Sequence, residues 1–278
     1  MAFLVPFEYE FFRNGLIAAV VVGALCGFIG VYVVLRRMSY IGHGLSHAIF
    51  GGAVLSYVWN VNFFIGGGLW ALFSGALIHF ISHRRWVGAD AAIGVVTTSS
   101  FALGVAIIST HRTFTRNIEA ALFGNILGIT TRDVWIVALV SLFVFAALFV
   151  VRRPLLFSTF DPEVASAYGV STGKIDLLFI MLLAITVLAS TQILGVTLVA
   201  AAMVIPPVIA RYLTQRFQTL LVLSPLLGAL CGSVGMFLSF YFDISSAATI
   251  VLTSAALFIL LELVLIARGG KSPVIHEH

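Results

Sequence analysis

The sequence predicts an all-α fold that threads a membrane eight or nine times, and three observations predict it. Of its 278 residues, 61% are hydrophobic and only 9% are charged, too little charge to cover the surface of a water-soluble domain. Apolar runs of about twenty residues follow one another, the length a helix needs to cross a bilayer core of about 30 Å. Lys and Arg sit in ones and twos between these runs, which excludes the basic patch of a nucleic-acid-binding surface. Cys26 and Cys231 both lie inside apolar runs, where they pack as small hydrophobes and carry no information about redox compartment.

The elements follow in order along one domain, 1–278. Residues 1–13 mix aromatics with Glu8, Glu10 and Arg13, a pattern for a short helix lying on the membrane surface. The first span, 14–35, has no A-x-A-like cleavage pattern and reads as a retained helix; its Gly23-x-x-x-Gly27 spacing invites close approach by another helix. After Arg36-Arg37 comes a second span at 39–59, ending in Tyr57 and Trp59 at an interfacial belt. The third and fourth spans occupy 63–81 and 91–109. Residues 118–129 are apolar but too short to cross and hold Glu119 and Asn125, which predicts an interfacial or re-entrant helix. A fifth span at 133–151 precedes the longest polar connection, 152–174. Residues 175–210 contain 36 positions charged only at Asp176, an apolar run too long for one crossing. Ser190-Thr191-Gln192 and Gly195 divide it into two short helices. Spans at 220–240 and 247–267 complete nine crossings, ahead of a tail at 269–278.

The basic residues set the orientation. Arg36, Arg37, Arg84, Arg85, Arg152, Arg153, Lys174, Arg211, Arg216, Arg268 and Lys271 fall on one side, and Arg13, Arg112, Arg116 and Arg132 on the other. The richer side is cytoplasmic, which places the C-terminus inside and the N-terminus outside.

The second span carries the most informative pair. His43 and His47 stand four residues apart, so both imidazoles share a helix face roughly 6–12 Å into the span at about 1.5 Å per residue. Ionisable or ligating groups at that depth are costly unless they face a bundle interior. Neutral imidazole is a ligand for zinc, iron, nickel and copper, and less ideally manganese. Two nitrogens make a weak site, suited to an ion in transit, and a second copy of the chain across a two-fold axis would raise the count to four. The alternative is that each histidine hydrogen-bonds a Ser, a Thr or a carbonyl of a neighbouring helix; the pairing, and Gly42, Gly44, Gly51 and Gly52 around it, favour the ligand reading. His79 and His83 repeat the spacing beside Arg84-Arg85-Trp86, where water and two cations favour an interfacial role. His276 and His278 lie in the exposed tail and receive none.

The connection FDPEVASAYGV, 160–170, encodes a short capped helix: Asp161 as N-cap, Pro162 at the first helical position, Glu163 against the helix dipole and Gly169 as the stop. An isolated two-turn helix is marginal in water, so strong caps with Ala and Tyr exposed point to docking in a partner's groove, against the alternative of an ordinary loop helix. Pro206-Pro207 fits either a break lining an inner gate or a packing kink, and Asp243 in FDIS fits the cap of the last helix better than a guide for cations at the outer mouth.

Taken together, LCGFIGVYVVLRRMSYIGHGLSHA, LFGNIL, FDPEVASAYGV, LGVTLVAAAMVIPPVIARYL and FDISSAATIVL resemble the permease subunit of the zinc/manganese/iron family of ABC importers over nearly the whole chain. The resemblance implies a homodimeric permease in a bacterial inner membrane, with cytoplasmic ATPase subunits and an extracytoplasmic metal-binding protein as partners. It assigns ATPase coupling to Asp161, Glu163, Ala165 and Gly169, and the metal path to His43 and His47. The divalent ion is cargo, and no intrinsic cofactor is implied. Most relatives carry an aspartate where this chain has His43, in a pattern resembling G-D-x-L-S-H; imidazole there shifts preference from manganese towards zinc or iron. No G-x-x-x-x-G-K-[ST] is present, so ATP hydrolysis falls to a separate subunit. Two rivals stand beside this reading. One is a proton-driven secondary metal transporter; the other is an intramembrane metalloenzyme, weakened because GHGLSH lacks the glutamate of H-E-x-x-H.

Overall fold

The computed structural model describes residues 2–82, 88–110 and 124–267. Among them there are nine α-helices and no strand: α1 Glu10–Leu35, α2 Ser39–Val58, α3 Phe63–Ser82, α4 Ala89–Thr110, α5 Thr131–Phe160, α6 Pro162–Ala167, α7 Thr172–Leu213, α8 Phe217–Phe242 and α9 Ser246–Ala267. Seven of these are long and apolar enough to cross a membrane. α2 falls outside that set, because its histidines, glycines and serines dilute its hydropathy, yet its 20 residues span about 30 Å at 1.5 Å per residue.

α1 and α7 form the centre. In each, 72% of the most apolar stretch is buried, against 11% in α9. α7 packs on α1, α2, α3, α5, α8 and α9, while α2 lies among α3, α4 and α7. The outer faces keep large apolar side chains exposed, among them Leu139, Phe143 and Val150 on α5 and Leu260 and Leu263 on α9. Lipid, and not water, is the solvent such a surface fits.

The close approach expected at Gly23 and Gly27 is made with α8. A Cβ on Gly23 would overlap the Gly228 carbonyl, and one on Gly27 the Ser224 carbonyl. Ser224 Oγ donates to the Gly27 carbonyl at 2.6 Å, a hydrogen bond between the two helices. The break expected near Gln192 falls at Gly195, whose φ of 76° and ψ of 162° interrupt α7. Beside it Gly124, also at positive φ, sits against the Ile193 carbonyl, and the Asn125 N–H donates to the Gln192 carbonyl at 3.2 Å.

Three helix ends close with the same hydrogen-bonded turn, in which the second residue past the cap bonds back to the last turn. At α1, the Met38 N–H reaches the Val33 carbonyl and the Arg37 N–H the Val34 carbonyl, with Arg37 at φ 56°. At α2, Val61 reaches Ser56 and Asn60 reaches Tyr57. At α6, Val170 reaches Ala165 and Gly169 reaches Ser166, with Gly169 at φ 82°. The first of these turns leaves only Arg36, Arg37 and Met38 between α1 and α2.

Several expectations are corrected. The N-terminal segment is a 3-10 helix, Ala2–Glu8, and α1 starts at Glu10 because Phe12 is fully buried against Phe7, Phe237 and Phe240. Residues 152–160 belong to α5: Pro154 lies inside the helix, and Leu155 and Ser158 are buried, so packing holds the helix through the proline. The resulting 30 residues reach about 45 Å, longer than the bilayer core. Residues 124–129 form no continuous helix; Asn125 caps a 3-10 turn, Ile126–Gly128, and Glu119 lies outside the described residues. Asp243 adopts φ 53° and ends α8 instead of capping the last helix; aspartate tolerates that left-handed conformation. Pro206 and Pro207 are buried within a continuing helix, and Pro207 packs against Gly30, which favours the packing kink over a gate.

Gly23→Val forces the α1 and α8 backbones apart, and overpacking of this kind costs about 1–3 kcal/mol. The expected outcome is a lower thermal midpoint in detergent; an unchanged midpoint contradicts the contact.

Candidate metal-binding site

α2 carries both histidines on one face, as their spacing predicts. His43 Nε2 and His47 Nε2 lie 3.2 Å apart, and the rings stand nearly perpendicular with centroids 4.5 Å apart. His43 is exposed on the single chain and His47 is half-buried, its ring meeting Phe101 edge-on at 5.1 Å. His47 Nδ1 is buried without a hydrogen-bond partner. The neighbouring-helix partner that would make His47 a structural residue is therefore not present among the described residues.

Small residues on α2 bring α4 alongside. A Cβ on Gly44 would strike Ile93 and Thr97, and one on Gly51 the Ser100 carbonyl. Between the two helices opens a cavity of about 450 Å³, lined by Tyr40, His43, His47, Asp90, Thr97, Thr98 and Phe101 among others. Sequence reading missed Asp90 and the two threonines. Nothing in the linear pattern tied the first turn of α4 to the histidine face of α2; the glycines at 44 and 51 were the signal that a close neighbour existed. Thr97 Oγ1 already donates to the Ile93 carbonyl at 2.8 Å.

The Nε2 separation matches what a shared cation requires. Two imidazoles on a tetrahedral centre with bonds of about 2.0–2.1 Å place their nitrogens about 3.3 Å apart. Yet among the described residues no three His, Cys, Asp or Glu side chains converge on one ion. A single chain thus offers two nitrogen ligands with a carboxylate further along the same cavity.

The remaining expected residues form a separate place. Asp161 Oδ1 accepts the Val164 N–H at 3.0 Å and caps α6, with Pro162 at its start. Glu163, Val164 and Tyr168 are exposed, whereas Ala165 is fully buried. The expected exposure of alanine on this helix is corrected for Ala165, which faces the body of its own chain while Tyr168, 79% exposed, faces outwards. His79 is buried at 7% exposure and not in interfacial water; its companion His83 lies outside the described residues, as does the tail with His276 and His278.

The described residues form a many-helix membrane bundle with an exposed capped helix and a histidine-lined cavity, and the relatives of the chain place it among transporter permeases. The chain belongs to the ABC 3 transport family, whose model matches residues 8–265. It is 35% identical over 253 residues to the manganese transport system membrane protein MntC of Halalkalibacterium halodurans, covering 91% of this chain and 87% of that one. It is 30% identical over 257 residues to the "Probable iron transport system membrane protein" of Haemophilus influenzae, covering 92% and 94%. Among solved structures, PsaBC from Streptococcus pneumoniae in complex with Fab superposes with a TM-score of 0.82 at 30% identity, covering 91% of each chain.

Gly169 has no atom within 4 Å of a Cβ built on it, so backbone conformation alone calls for glycine there. Gly169→Ala is expected to loosen α6 by about 1 kcal/mol, read as faster amide exchange over 163–168. Equal exchange contradicts the strained turn.

Proposed function

We propose that the chain is the membrane-spanning subunit of an ATP-driven importer of a divalent transition metal, working as a two-fold pair and alternating access to His43 and His47. The observation that carries this reading is the pair of Nε2 atoms 3.2 Å apart at the wall of a cavity that also holds Asp90. Two neutral nitrogens per chain hold an ion weakly, and a second copy supplies the other half of a four-imidazole shell. Family membership supports ATP hydrolysis on a separate cytoplasmic subunit and delivery by an extracytoplasmic binding protein, with the basic connections and C-terminal tail inside. Asp161, Glu163, Ala165 and Gly169 form the part that meets the ATPase: Asp161 and Gly169 fix the ends of α6, Ala165 seats it on the chain, and Glu163 is presented outwards.

The cargo follows from the donors. The relatives named above concern manganese and iron, and imidazole at position 43 moves preference towards iron or zinc, away from the oxygen ligands manganese favours. Asp90 restores one carboxylate to the same cavity and gives the ion a stepping point between the histidines and the start of α4.

The test is uptake by the complete complex in proteoliposomes. His47→Ala is expected to abolish ATP-driven uptake while the complex still assembles, and full uptake would remove the site. His43→Asp is expected to retain uptake and raise the manganese-to-zinc ratio; an unchanged ratio contradicts the donor argument. Uptake by this chain alone, driven by a pH gradient, would decide for the proton-coupled rival.

A further inference from the structure

Arg36 is the most heavily bonded cation among the described residues, and neither the metal path nor α6 itself explains it. Its side chain is 8% exposed at the turn between α1 and α2. Nη1 donates to Asp176 Oδ1 at 2.7 Å, Nη2 to Ser158 Oγ at 2.7 Å and Nε to Thr159 Oγ1 at 2.9 Å. The guanidinium also lies 5.0 Å from the centre of the Phe179 ring. Every arm of the planar fork is thus engaged, an arrangement lysine cannot reproduce.

The partners are placed tellingly. Ser158 and Thr159 form the last turn of α5, immediately before Asp161 and α6. Asp176 lies in the second turn of α7, which begins five residues after α6 ends. One guanidinium therefore ties together the two helices between which α6 is strung. On its other side Arg36 is the cap of α1, and the tight turn through Arg37 and Met38 leads straight into α2 at Ser39. His43 follows seven residues after Arg36, about one helical turn into α2.

We propose that Arg36 is the positioning residue that passes movement of α6 to the histidine helix. This rests on the importer reading above. When α6 is displaced, the ends of α5 and α7 carry Arg36 with them, and the closed turn at 36–38 has no slack to absorb the shift before α2. A residue serving stability alone would hold α5 and α7 to α1 without making the position of α2 depend on α6.

The experiment uses the complete complex, with spin labels at Tyr57→Cys on the far end of α2 and Ser171→Cys just after α6, both exposed; Cys26 and Cys231 are buried and stay. The inter-label distance is measured with and without a non-hydrolysable ATP analogue, beside ATP hydrolysed per ion imported, in the otherwise native complex, in Arg36→Lys and in the milder Asp176→Asn. Expected is an analogue-dependent distance change that is lost in Arg36→Lys and reduced in Asp176→Asn. Alongside it, hydrolysis per ion rises about tenfold as charge-assisted hydrogen bonds are removed. A distance change retained in both variants, or an unchanged hydrolysis-to-uptake ratio, overturns the proposal. A complex with native Arg36 that imports no ion yet shows the distance change, lost in Arg36→Lys, supports Arg36 while sinking the importer reading.

Discussion

Two imidazole nitrogens held 3.2 Å apart in a membrane helix can share one hydrogen, and that bond does nothing for the far nitrogen of His47. Whichever ring donates, His47 Nδ1 is left buried and unbonded, as an orphan donor or an orphan acceptor, at a cost of about 1–3 kcal/mol. Packing sustains this arrangement. Gly44 and Gly51 seat α4 against α2, and Phe101 closes on the His47 ring. In the proposed site a divalent ion would take both Nε2 lone pairs, and with no group of three His, Cys, Asp or Glu side chains among the described residues one chain would hold it weakly enough for it to leave.

The second constraint is mechanical. α5 runs for 30 residues, far enough to carry α6 beyond the bilayer core, and α7 returns from it to the centre of the bundle. α7 is also the helix that touches most of the others and is broken at Gly195. The same helix therefore starts beside α6 and is broken midway, at Gly195, close to the loop around Asn125. Rigid segments joined at a few glycine-permitted points suit a permease that rocks between two packings.

Much of this was legible because it depends on local chemistry. Histidines four apart share a helix face whatever surrounds them, Asp161-Pro162 and Gly169 spell out the ends of α6, and Gly195 marks a break inside an apolar run. What stayed hidden depends on tertiary packing. Asp90 joins the histidine cavity only through the seating of α4 on α2. Arg152-Arg153-Pro154 read as the end of a span, but burial of Leu155 and Ser158 carries the helix past them. Ala165 looked available to a partner and is instead the residue that anchors α6 to its own chain. Asp243 carries a cap residue's side chain, yet its backbone ends the helix before it.

The central claim is that the ion in transit is held by imidazole nitrogens from both copies of the permease. X-ray absorption of the complete complex, trapped with one equivalent of zinc, measures this most directly. The account predicts a first shell of nitrogen at about 2.0–2.1 Å with imidazole outer-shell scattering fitting four rings per ion. A shell of oxygen with no imidazole contribution would contradict it.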